Sequence, residues 1–193
     1  MAENVRCSVL LDACVLYQLA IADSLISLAA SGIFSAKCTK KIEQEWIYAL
    51  EKKRPDLKGR LNYRRDCMRE AIPDWEISEN AWQAITSAIN LPDPNDVHVL
   101  AAAIAGNVNY IVTKNTRDFP KREVGLHEIT IIDPDRFIIN QWNLKTDQVI
   151  MAFKKMRMRR KRPRETVEEF AHTLAKNGLP NTAKKILEAK NYL

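Results

Sequence analysis

Val9-Leu10-Leu11-Asp12, with the run that follows it from Cys14 to Ala30, decides how this chain is built. Val5 to Leu11 reads as a short buried strand, and Cys14 to Ala30 carries apolar residues at helical spacing until Gly32 provides a stop. That is the opening of a strand-helix-strand unit with an acid at the strand exit. Ile33 to Lys37 is apolar enough for a second strand, and Thr39 can cap a helix running towards Lys53 with Ile42, Trp46, Ala49 and Leu50 as its core stripe. Asp56 to Ile72 and Ser78 to Asn90 read as two further helices, with room for a very short strand at Trp75 and Ile77. Asp93 starts a helix that Gly106 ends, Tyr110 to Thr113 and Ile129 to Asp133 are strands, and Pro134 suits the first turn of another helix. Such alternation predicts an α/β layer with a mostly parallel sheet flanked by helices. In these sheets the functional crevice lies outside the carboxyl ends of the strands.

The 193 residues and 46% hydrophobic content suit one ordinary domain with room for an appendage. The net charge of +6 is unevenly spread: residues 145 to 193 hold 13 Lys and Arg against 5 Asp and Glu, while residues 1 to 144 carry a net charge of −2. We divide the chain accordingly into a core, 1–143, and a basic helical extension, 144–193. Eight of the eleven residues from Lys154 to Arg164 are basic, and Lys154, Lys155, Arg157, Arg159, Arg160, Lys161 and Arg162 form a footprint suited to a polyanion. A solvated helix face is the plainer alternative. Within the extension Thr166-Val167-Glu168-Glu169 has capping-box spacing, Phe170 and Leu174 can share a face, and Gly178 is a good terminator.

Cys7, Cys14, Cys38 and Cys67 show no zinc or disulfide spacing and are expected as reduced thiols in a cytoplasm. The N-terminus lacks the basic start and long apolar stretch of a signal peptide, and no segment is apolar enough for a membrane span. There is no GxSxG, GxxxxGK[ST] or HExxH. His98 is expected to pack or face solvent rather than act as a base.

Four acids stand where an apolar run ends or a helix begins: Asp12, Glu45, Asp96 and Asp118. Each has a structural alternative. Asp12 can cap a helix, Asp96 can favour a helix dipole after the capping Asp93, and Asp118 can shape a turn with Asn115. Glu43 and Glu45 flank the Ile42/Trp46 stripe at nearly equal angles, so helix phase does not choose between them. Together, carboxylates about 4 Å apart repel by roughly 4 kcal/mol at an effective dielectric of 20. A divalent cation relieves that repulsion, which points to metal-dependent phosphodiester chemistry. Thr113 and Asn115, at a strand exit, are candidate supporting groups.

The segments Leu10-Leu11-Asp12-Ala13-Cys14-Val15-Leu16, Asp93-Pro94-Asn95-Asp96-Val97-His98-Val99-Leu100-Ala101-Ala102-Ala103 and Ile111-Val112-Thr113-Lys114-Asn115-Thr116-Arg117-Asp118-Phe119-Pro120 resemble, in order and spacing, those of a PIN domain. The resemblance covers residues 5 to 140. It implies an Mg²⁺- or Mn²⁺-dependent ribonuclease site in which Asp12 and Asp96 hold metal and Glu45, rather than Glu43, is the helix acid. Many relatives carry Asp where this chain has Asn115, so the resemblance leaves two alternatives: Asp118 takes the last acidic role, or the site works with three acids and an amide. Compact bacterial members resemble VapC-type toxins, which implies cleavage of RNA, a cognate antitoxin, a homodimer, a bacterial cytoplasm and a block on translation. The alternatives are an RNA-processing or DNA-flap nuclease of the same fold, or a catalytically silent RNA-binding module.

Overall fold

The computed structural model describes residues 6–160 and 165–193. Its centre is a parallel sheet of four strands, β1 (Ser8–Leu11), β2 (Ser35–Lys37), β3 (Tyr110–Val112) and β4 (Thr130–Ile132), in the order β2-β1-β3-β4. Leu10 lies opposite Lys37 on one side and Ile111 on the other. Val9, Leu10 and Leu11 are fully buried, as expected of a central strand covered by helices on both faces. The chain leaves β1 towards β2 on one side and returns to β3 on the other. The order in which the chain adds strands therefore reverses between β1 and β3, and a crevice opens at their carboxyl ends.

The sequence between Asp12 and Ala30 forms two helices, α1 (Ala13–Tyr17) and α2 (Leu19–Ala30), where the apolar periodicity alone predicts one. Gln18 breaks the run with φ −84° and ψ 112°. The Arg64 guanidinium donates to the Leu16 carbonyl at 2.5 Å and lies 4.8 Å from the centre of the Trp46 ring. It thus satisfies a carbonyl at the end of α1. Burial holds the Arg64 pKa down to about 10.

Thr39 caps α3 (Lys40–Lys53) as predicted, its hydroxyl accepting from Ile42 N at 3.1 Å. Ile42 and Trp46 are buried, whereas Leu50 is half-buried and Ala49 is exposed. After α4 (Leu61–Ala71), the expected short strand is a single parallel bridge between Glu76 and Cys38. The helix predicted over 78–90 is only α5 (Glu79–Trp82) followed by 3-10 turns through Ala88. Thr86 Oγ1 and Ser87 Oγ donate to the carbonyls of Gln83 and Ala84, three residues back, and these bonds accompany the tighter winding.

Asp93 caps the turn Pro94–Asp96 that leads into α6 (Val97–Ala105), the crossover to β3. The periodicity did not predict α7 (Lys121–Gly125). Asp133 caps α8 (Pro134–Leu144), with Pro134 in its first turn as predicted, and α9 (Thr146–Arg159) packs on α2. The capping box is present: Thr166 Oγ1 accepts from Glu169 N at 3.1 Å, and Glu169 Oε2 accepts from Thr166 N at 2.8 Å, opening α10 (Val167–Lys176). Phe170 and Leu174 are buried on one face of α10, which pairs with α11 (Pro180–Glu188).

One buried acid fastens this pair to the core. Asp135, in the first turn of α8 and 4% exposed, accepts from Asn181 N, Asn181 Nδ2, Thr182 N and Thr182 Oγ1 at 2.7 to 2.9 Å. A carboxylate against the first-turn amides of α11 satisfies donors that have no partner within that helix. Asp135→Ala is expected to lower stability by roughly 2–4 kcal/mol, because it strands several buried donors at once. Urea denaturation monitored by tryptophan fluorescence measures this, and Asp135→Asn should cost less because one acceptor oxygen remains.

Candidate active site

A cleft of about 480 Å³ opens beside the carboxyl ends of β1 and β3, with Asp12, Glu45, Asp96, Lys114 and Asn115 in its lining. Three of the four predicted acids therefore meet there, from the exit of β1, from α3 and from the start of α6. Asp118 ends the 3-10 turn Thr116–Asp118 and does not line the cleft, although its charge is felt at Asp96.

Asp12 is both a helix cap and a member of the cleft. Its Oδ1 accepts from Ala13 N at 2.6 Å, and its Oδ2 accepts from Thr113 Oγ1 at 2.7 Å and from Cys14 Sγ at 2.9 Å. Thr113, fully buried, in turn accepts from Asn115 N at 2.9 Å. The supporting role predicted for Thr113 thus has a direct geometry, since its hydroxyl joins the exit of β3 to the exit of β1. The Cys14 thiol is pushed up to about 12 by burial first, then by the Asp12 charge and hydrogen bond. It therefore stays a donor to Asp12 at ordinary pH.

The tie between Glu43 and Glu45 is resolved by packing. Glu43, 3% exposed, is gripped by Arg69 Nε at 2.8 Å and Arg69 Nη2 at 2.6 Å, and Trp75 Nε1 donates to it at 2.8 Å. It fastens α3 to α4 and to the segment beside β2. Glu45 faces the cleft, its Oε1 lying 2.8 Å from His98 Nε2. His98 is buried beside Trp82 rather than solvent-facing, and its partner is one of the predicted site acids.

Asp96 has its pKa pushed up to about 7, by burial first and then by the charges of Asp12, Asp93, Asp118 and Glu45. Among the described residues no ion pair involves Asp12, Asp96 or Asp118. These three acids thus have no protein cation within ion-pair distance among the described residues, although Lys114 lines the same cleft. Nor, among the described residues, do three His, Cys, Asp or Glu side chains form a closed metal cage. Hard oxygens around an open cleft fit an ion such as Mg²⁺, which takes one or two carboxylates directly and keeps water in its other positions.

Sequence reasoning missed Cys14, His98 and Lys114. Cys14 and Lys114 stood inside the quoted segments, next to predicted residues, but nothing in their spacing distinguished them. Lys114 joins the cleft to the extension: Gly178, at φ +89° in the turn after α10, stands so close that an added Cβ would lie 2.5 Å from Lys114 Nζ. The basic run is engaged internally to a large extent. Lys154 and Arg157 donate to the carbonyls of Tyr192 and Leu193, Arg159 reaches Asp23 and Ser27, and Arg160 pairs with Asp23 and Glu165. Lys155 is exposed, while Lys161 and Arg162 lie outside the described residues.

A PIN domain model matches residues 8–117, more than half of the chain, and the chain belongs to the PIN-domain family. Residues 134–188 match a second model, the VapC50 C-terminal domain, so the chain has the organisation of a VapC-type PIN protein with a C-terminal extension. That second match begins at α8, ahead of the rise in basic charge. No curated protein and no solved structure matches the chain. No helix among the described residues is long and apolar enough to cross a membrane.

Asp96 carries the pH dependence. Its folded pKa of about 7 lies above the ordinary 3.8, so between these values the folded chain holds a proton that the unfolded chain has released. Its stabilising contribution is present below the ordinary value and is lost as pH rises towards the folded one. In EDTA, the stability of the wild type relative to Asp96→Asn should therefore fall across that window and level off above it. Urea denaturation at a series of pH values tests this, and Mn²⁺ added above the window should restore wild-type stability. Glu43→Ala should cost about 1–3 kcal/mol in the same assay by leaving Trp75 Nε1 without an acceptor.

Proposed function

We propose that this protein is a metal-dependent endoribonuclease, the toxin of a toxin–antitoxin pair that blocks translation by hydrolysing RNA. The observation that carries the reading is the meeting of Asp12, Glu45 and Asp96 in one cleft, with no cation paired to Asp12 or Asp96 among the described residues. Membership of the PIN family and the VapC50-type C-terminal domain support a nuclease of VapC-like toxin type. A cognate antitoxin is the expected protein partner, the bacterial cytoplasm the expected compartment, and a homodimer the expected assembly. Residues 1–143 form the nuclease unit and 144–193 the extension.

Asp12 and Asp96 are the residues that hold Mg²⁺ or Mn²⁺. Such a cation, when bound, supplies Lewis-acid stabilisation of the charge that develops on a phosphodiester during hydrolysis. The other work belongs to the chain. Thr113 Oγ1, Ala13 N and Cys14 Sγ fix the Asp12 carboxylate, which removes the reorganisation that a free side chain would require. Glu45 orients water around the attacking face, while Asp118, outside the cleft lining, contributes its charge at Asp96. Lys114 and the exposed Lys155 offer positive charge to RNA phosphates, and binding through them weakens as salt rises.

Purified, antitoxin-free protein is expected to cleave RNA in Mg²⁺ or Mn²⁺, and to lose that activity in EDTA and in folded Asp96→Asn. Cleavage is read on denaturing gels of total RNA. Undiminished cutting by Asp96→Asn would remove the proposed site, and well-folded wild type that spares RNA but cuts DNA flaps would reassign the substrate.

A further inference from the structure

We infer that His98 is the positioning residue for Glu45, holding its carboxylate towards the cleft through Nε2–H. The inference rests on the nuclease reading of that cleft and adds a residue to it. His98 lies on α6, two residues after Asp96, with only 3% of its surface exposed and its ring 6.0 Å from that of Trp82. Its Nε2 stands 2.8 Å from Glu45 Oε1. Its Nδ1 is buried and, among the described residues, has no hydrogen-bond partner.

That asymmetry is the argument. Packing against Trp82 accounts for the burial of the ring but not for the placement of Nε2 against a cleft acid. Here one nitrogen is left unsatisfied in the interior, which costs stability. The other makes the ring's polar contact with a cleft acid. On this inference Nε2–H donates and the carboxylate accepts, which assigns the proton to Nε2.

Glu45 has a reason to require this support. Its side chain is 37% exposed on the rim of α3, and a long acid there loses considerable rotamer entropy when held in one orientation. The contact with His98 is made by Oε1, and Oε2 has no ion-pair partner among the described residues. Because Asp96 and His98 belong to one short segment, the same backbone that presents Asp96 also sets the distance from it to Glu45. The geometry is that of a site acid oriented by a second residue, whose loss commonly lowers metal affinity or activity.

The test compares His98→Leu, which keeps bulk without a donor, with His98→Gln, whose amide nitrogen can replace Nε2. His98→Leu should unfold at the same temperature as wild type or higher, yet cleave RNA about 10–100-fold more slowly, with the loss in kcat rather than KM. His98→Gln should recover most of that loss. His98→Leu in a Glu45→Gln background should cost little more than Glu45→Gln alone, since the two remove one interaction. In parallel, ¹⁵N NMR of the metal-free protein should show a protonated Nε2 at His98 whose resonance shifts in Glu45→Ala. Full activity in His98→Leu, loss of stability with unchanged kcat, or additive effects in the double variant would overturn the inference. If wild type cleaves no RNA, the nuclease reading fails by itself. The NMR comparison then decides the contact, and a resonance indifferent to Glu45→Ala refutes it even if His98→Leu does not fold.

Discussion

The hydrogen bond from Thr113 Oγ1 to Asp12 Oδ2 spans the point where the order of strand addition reverses, and the candidate site is organised around it. Residues 101 apart in sequence become neighbours because β1 and β3 pair in register, Leu11 opposite Val112, so that the residues following each strand leave the sheet side by side. Parallel strands bring like ends together, and at those ends the chain turns into loops and helix starts. A buried carboxylate is tolerable at that place because the first amide of α1, a hydroxyl and a thiol all donate to it. These donors fix the orientation of Asp12 at the cleft without an ion pair.

The other acids are arranged by contrast with their neighbours. Glu43 and Glu45 are two residues apart on α3 and have opposite fates. Glu43 turns inward to a guanidinium and an indole that compensate it, and Glu45 turns to an open cleft and a single imidazole. Asp96 has its pKa raised by burial first and then by the charges of its four acidic neighbours. Charge crowded and buried in this way opposes folding, so the stability of the protein depends on the protonation of this one carboxylate.

In the basic extension, much of the charge on the described residues of α9 is paired within the fold. Arg159 and Arg160 both reach Asp23 of α2, while Lys154 and Arg157 hold the carbonyls of the last two residues. Arg160 also lies 5.1 Å from the centre of the Phe170 ring. Many of these cations fasten α9, α10 and the C-terminus to one another and to α2. Asp135 performs the corresponding task from the core side, and the Gly178 turn then lies against Lys114 at the cleft. The extension is in this way a neighbour of the site as well as a polyelectrolyte.

Local chemistry determined a large part of this protein. The apolar run ending at Asp12, the Thr39 cap, the Asp93 cap with Pro94, the Thr166–Glu169 capping box and the alternation of strands with helices all follow from residues close in sequence, because caps and periodicity act over a single turn or strand. The three segments around Asp12, Asp96 and Thr113 were sufficient to indicate the PIN fold. Tertiary structure alone decided where α1 breaks, since the partner of the Leu16 carbonyl is Arg64 on α4. Helix phase left Glu43 and Glu45 equivalent and the family resemblance pointed to Glu45; the tertiary structure sets Arg69 and Trp75 against Glu43 and leaves Glu45 to His98 and the cleft. It also turned His98 from a packing residue into a partner of the site, a role set by an atom on another helix that no spacing along the chain can reveal.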